Sequence, residues 1–333
     1  MEMEQEELQF LGIFGIYRES CKLIYKLRKI LTQITLTLIL PLSFIILAQE
    51  RVSQILYWKI RFNEFRLHES KLGTPRHDKL SDLVSTEWAE YVALKLTYLA
   101  FVLVFSLLST SAVVYTVACA YTSRDITFKK VMSVVPRVWK RLMITFLCAF
   151  FAFFLYNVGF VLTLFIWSTT ISDSTAGIVV FIVILILYSV IFVYLTIVWQ
   201  LASVVSVLED SYGIKAMIKS KSLIRGKMMV AIAIFFKLNV LIFALNIFFK
   251  VFVVYGGFRG GWARSLGFGA LCLLLLLIII LFGLVVQTVV YLVCKSYHHE
   301  NIDKSALSDH LEAVYLGDYV PLMAAKNVQM EDF

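Results

Sequence analysis

Asn239, Asn246 and Lys250 are the polar residues whose spacing inside an apolar segment could support chemistry. Separations of seven and four residues place the three within about 40° on one face of an α-helix, while Lys237 points nearly the opposite way. Ionisable groups at membrane depth are costly and commonly face a bundle interior or an aqueous cavity. On that basis the face is a wall of a polar cavity or a seat for an anionic lipid headgroup. The simpler alternative has Lys250 reaching one interface and Lys237 the other, with the asparagines bonding to neighbouring helices. Asn157, Gln200 and Gln287, each on another apolar segment, can partner either arrangement.

A second candidate is cationic. Lys22, Lys26 and Lys29 precede the first apolar segment, Lys129, Lys130, Arg137, Lys140 and Arg141 precede the third, and Lys215, Lys219 and Lys227 precede the fifth. Three such basic helices laid in the interface would attract anionic lipid headgroups, at roughly 1 kcal/mol per near-surface cation. The same residues serve equally well as topology determinants.

Little else offers catalysis. The apolar segments contain no Asp, Glu or His, and all five histidines lie outside them. His298 and His299 are adjacent, so on a helix they diverge by about 100° and cannot share a metal as an i, i+4 pair could. No phosphate-binding loop, serine elbow or zinc-protease pattern is present. The five cysteines follow no disulfide or metal spacing. No cofactor, metal or nucleic acid is expected.

The elements that position these residues follow from composition. With 60% hydrophobic and 16% charged residues and a mean hydropathy of +0.83, the chain lies far from the roughly 25% charged content of soluble domains. About 20 apolar residues cross the hydrocarbon of a bilayer. Six segments qualify, near 30–48, 96–120, 142–167, 176–208, 228–255 and 266–294, forming one membrane domain over 30–294. Residues 1–29 form an amino-terminal region whose Phe10 to Lys29 stretch reads as an amphipathic helix, and 295–333 form a polar tail. Met1 to Glu7 is acidic, unlike a secretory signal, so the first span is expected to act as an uncleaved anchor. Pro41 falls inside that span, where a kink is tolerable. Gln49 to Lys95 reads as the one sizeable loop, with a turn at Gly73 to Pro75 and a helix start at Ser85. The connectors Ser168 to Thr175 and Gly256 to Gly267 are short. Lys and Arg number 19 on the side holding the amino terminus and 10 on the other, so both termini are expected in the cytoplasm.

An internal repeat emerges from the basic segments. Ser20, Leu23, Ile24 and Lys29 lead into span one, Ser133, Arg137, Lys140 and Arg141 into span three, and Ser220, Leu223, Ile224 and Lys227 into span five. Asp125 and Asp210 each follow a span end, where an acid can cap a new helix. The unit is an interfacial helix plus a transmembrane hairpin, used three times, a known manner of building membrane domains. General basicity of cytoplasmic loops would explain the charge but not the shared serine.

Leu208, Glu209, Asp210, Ala216, Ser220, Leu223 and Gly226 resemble a pattern in proteins related to the membrane domain associated with glycerophosphoryl diester phosphodiesterases. The whole chain, with the tail motif Tyr315 to Leu322, is similar to a plant family of uncharacterised six-span proteins. Some members of that family carry a label as partners of a polyadenylate-binding protein, which implies a protein partner at the tail. The phosphodiesterase's catalytic barrel has no counterpart here, so its activity does not transfer. Tyr319 to Leu322 also fits a tyrosine-based sorting signal. The expectation is an all-α, polytopic bundle of six transmembrane helices, non-enzymatic, handling lipids or other hydrophobic molecules in the endoplasmic reticulum, another endomembrane or the plasma membrane. A transporter or channel, an intramembrane enzyme and an RNA-associated adaptor are the alternatives, in that order.

Overall fold

Leu27 divides the amino-terminal basic segment from the first long helix. Its backbone leaves the helical region at φ −97° and ψ 13°, yet its N–H still closes onto the Leu23 carbonyl. The computed structural model describes residues 9–70, 73–122, 126–170, 175–256 and 262–298, and among these residues it has eight helices and no strand. They are α1 (Ile13–Lys26), α2 (Arg28–Glu69), α3 (Pro75–Tyr121), α4 (Phe128–Thr170), α5 (Thr175–Leu208), α6 (Ile214–Ile224), α7 (Met228–Tyr255) and α8 (Trp262–Tyr297). Asp125, His299, the acidic Met1 to Glu7 and the tail motif from Tyr315 to Leu322 lie outside the described residues, as do parts of both short connectors.

Six helices, α2, α3, α4, α5, α7 and α8, are long and apolar enough to cross a membrane. α2 absorbs Pro41 by a wide turn. Proline lacks an N–H and crowds the carbonyl four residues back, and the preceding segment Thr35–Ile39 opens to π-helical geometry. Thr35 and Thr37 donate their hydroxyls to the Leu31 and Gln33 carbonyls at 2.7 and 2.8 Å, returning hydrogen bonds to a ladder that the wide turn perturbs.

The expected loop between the first two spans is a helical hairpin instead. α2 continues to Glu69, and α3 starts at Pro75, ten residues before Ser85. Gln49 to Leu72 contains neither Gly nor Pro to interrupt a helix. Thr74 caps α3 by accepting from the His77 N–H at 3.3 Å, and Pro75 suits the first helical position. The Asn63 amide donates to Glu87 at 2.9 Å, Lys59 pairs with Glu87 at 3.1 Å, and Trp88 Nε1 donates to Glu64 at 2.9 Å. These contacts zip the two arms over a projection of about 30 Å beyond the apolar stretch.

The basic regions take two forms. α1 and α6 are separate helices, whereas the second region is continuous with its span, α4 running unbroken through Pro136. Ser20 is buried and bonds to Ile16 of its own helix, Ser220 is buried and bonds across to Val198 of α5, and Ser133 is exposed and bonds to Lys130.

The largest hydrophobic core sits at the basic end, where α1, α6 and the adjoining halves of the long helices converge on residues such as Leu31, Val113, Leu201 and Tyr291. Away from it α4 and α5 pair mainly with each other, through stacked Tyr156 and Tyr188 rings 4.9 Å apart and a Trp167 bond to the Gly177 carbonyl at 3.0 Å. None of the most apolar stretch of α5 is buried within the protein. Exposed apolar faces of this extent mark surfaces for contact with a membrane or another protein.

Candidate functional site

The residues of the polar face predicted on α7 bond in two ways. Asn239 and Asn246 donate to the carbonyls of Phe235 and Ile242, one turn back in their own helix, at 2.8 and 2.9 Å. Lys250 begins a π-helical turn, Lys250–Tyr255, and its Nζ lies 2.9 Å from Glu50 of α2. Gln287 instead donates to the Gln200 carbonyl and, at 2.7 Å, to Ser203, joining α5 to α8. Asn157 bonds Phe153 and accepts from Tyr188.

The predicted cations are shared between protein and surface. Lys22 pairs with Glu19 at 3.4 Å, Arg141 with Asp210 at 2.7 Å and Lys219 with Glu209 at 2.6 Å, and Lys227 lies over the Tyr297 ring. Lys26, Lys29, Lys129, Arg137, Lys140 and Lys215 are exposed and Lys130 is half-buried.

Glu209 is the centre that the pattern of cations did not anticipate. It ends α5, its side chain is largely buried, and it meets Lys219 of α6 and, at 2.9 Å, Lys295 of α8. Tyr291 donates its hydroxyl to the same carboxylate at 2.5 Å. Burial is the largest single influence and pushes the Glu209 carboxyl up, but bonds from Lys219, Tyr291 and Lys295 together outweigh it and hold the group below the usual carboxylate range. An ionised carboxylate so held is a clasp between three helices, not a proton donor poised near neutrality. The signal was visible: Glu209 is the first charge after the uncharged run 176–208.

At the opposite end, α2, α7 and α8 enclose a cleft of about 500 Å³, lined by Phe44, Leu47, Phe249 and Leu273, with Gly269 and Ala270 leaving room on α8. Among the described residues one charged side chain, Arg51, belongs to the lining. Its Nη1 donates to the Val253 carbonyl and, at 2.9 Å, to that of Val254. Carbonyls in the last turn of a helix lack intrahelical partners, so Arg51 closes the end of α7 while its guanidinium faces apolar walls. Its volume falls within the range of small-ligand clefts.

The chain matches the family described as Domain of unknown function (DUF8558) over residues 1–333 and belongs to that family. No curated protein and no solved structure matches it.

Proposed function

We propose that this member of the DUF8558 family spans a membrane six times and handles lipid or another hydrophobic molecule without catalysing a reaction. The observation that carries this is the cleft between α2, α7 and α8: apolar walls, a volume of about 500 Å³ and one cation. Six long apolar helices with broadly exposed outer faces support the membrane setting. The bias of 19 to 10 in Lys and Arg supports cytoplasmic termini, with the α2 and α3 hairpin on the far side. The endoplasmic reticulum, another endomembrane and the plasma membrane all suit this topology. The exposed lysines of α1, α4 and α6 then face anionic headgroups of the cytoplasmic leaflet, and the threefold plan of basic segment plus hairpin describes how the chain is threaded.

Photo-crosslinking tests the cleft. A diazirine-bearing acyl lipid, incorporated with the purified protein into phosphatidylcholine nanodiscs, should label peptides containing Phe44 and Leu273. A Cβ at Gly269 meets nothing within 4 Å, so Gly269→Phe can fill the cleft without moving the backbone. It should reduce labelling roughly tenfold, equivalent to about 1.4 kcal/mol. Labelling spread evenly over all lipid-facing helices, and indifferent to Gly269→Phe, would remove the proposal.

A further inference from the structure

The charge inside the cleft narrows what it takes, and this step rests on the cleft reading above. Arg51 is in no ion pair among the described residues: its neighbour Glu50 is committed to Lys250. Both of its carbonyl bonds leave from Nη1, which leaves the Nη2 and Nε edge of the fork for a planar anion. A guanidinium against Phe44, Leu47 and Val253, of which the last two are buried, has lost part of its hydration. A partner carboxylate there forms a charge-assisted bond stronger than a neutral one. Ser265, in the first turn of the 36-residue helix α8, and Leu266 after it border the same cleft, and the positive end of a helix favours an anion nearby.

The apolar part runs away from this charge. From Ser265 to Leu273 the α8 wall extends eight residues, a rise of about 12 Å, past Gly269 and Ala270, the small residues that make the groove. Among the described lining residues one guanidinium without an ion pair matches one negative charge, and a volume of about 500 Å³ lies in the lower half of the range for single small ligands.

We infer that the cleft binds a long-chain fatty acid as its anion, the carboxylate on Arg51 and the chain between α2, α7 and α8. The ligand enters from the leaflet on the hairpin side. Arg51 selects it by charge, while the apolar walls accept chains without regard to headgroup.

The test uses the full chain in phosphatidylcholine nanodiscs with three diazirine probes: a sixteen-carbon fatty acid, its methyl ester and a phosphatidic acid. The acid should label the cleft about tenfold more than the ester, a preference of about 1.4 kcal/mol, and should compete away the phosphatidic acid. Arg51→Gln, which keeps a donor for the carbonyls but no charge, should level acid and ester. Gly269→Phe should diminish both. Equal labelling by acid and ester in the wild-type protein overturns the fatty-acid assignment and leaves the cleft reading standing. Preferred labelling by phosphatidic acid overturns it in favour of a phospholipid. Absence of labelling at the cleft by any probe overturns both. The acid-to-ester ratio of the unmodified protein decides the question even where Arg51→Gln fails to fold.

Discussion

Lys295 near the end of α8 reaches Glu209 at the end of α5 across 2.9 Å, and Lys219 of α6 meets the other oxygen of the same carboxylate. One acid thus ties together the ends of two long helices and the short basic helix between α5 and α7. Removing it leaves two ammonium groups facing each other in a largely buried setting. Glu209→Gln should lower stability by about 3 kcal/mol, the scale for breaking a buried pair, read as a fall in melting temperature of the detergent-purified protein. A melting temperature unchanged within error would show that the clasp contributes nothing.

The same clasp sets an acid limit. Because the folded carboxyl of Glu209 is held below its unfolded range, its contribution is fully present above the unfolded value of about 4.3 and is lost as pH falls through the lower folded value. Wild-type protein should therefore lose stability more steeply than Glu209→Gln on acidification below about pH 4.3. Parallel pH profiles for the two proteins would contradict this assignment.

Glu50 and Lys250 form a second tie, between α2 and α7, at the other end. Lys250 is close to half exposed there, so the pair should be worth only about 0.5–1 kcal/mol. Glu50→Gln and Lys250→Met should each lose that amount, and the double variant no more than either. Full additivity in a double-mutant cycle would mean the two do not interact.

The serines at the three basic segments separate by environment. Ser220→Ala breaks a buried bond to α5 and should cost about 1 kcal/mol. Ser133→Ala, on an exposed site, should be neutral within about 0.5 kcal/mol. Equal losses at both would indicate that they occupy equivalent sites after all.

Gly226 closes α6 with a φ of +91°, and a Cβ there would stand 2.3 Å from the Tyr297 ring. Gly226→Ala should destabilise by about 1–2 kcal/mol from the backbone alone, with a further steric part. Combining it with Tyr297→Ala should relieve only the steric part. Complete rescue would show that the left-handed backbone carries no strain for alanine.

Helix class and the number of long apolar helices were legible in the chain because they depend on runs of residues, and a run of twenty apolar side chains has few alternatives. The regions of basic charge were legible for the same reason. The α2 and α3 hairpin was not, since mixed charge reads as loop until Thr74 and Pro75 are recognised as a cap and a start. On α7, helical phase says which residues share a side, but not whether an amide will bond to the carbonyl one turn back, as Asn239 and Asn246 do.

By itself, then, the order of amino acids determined that the chain is helical, where its long apolar runs fall and where the cations lie. Only the tertiary structure decided that Glu209, Lys219, Tyr291 and Lys295 meet, and that Arg51 closes the end of α7 beside an apolar cleft. The physical reason is range. Hydrophobic runs and helical periodicity act between neighbours in the chain, whereas all of these contacts except that of Glu209 with Lys219 join residues 82 to 203 positions apart, and their partners are set by which helices pack together.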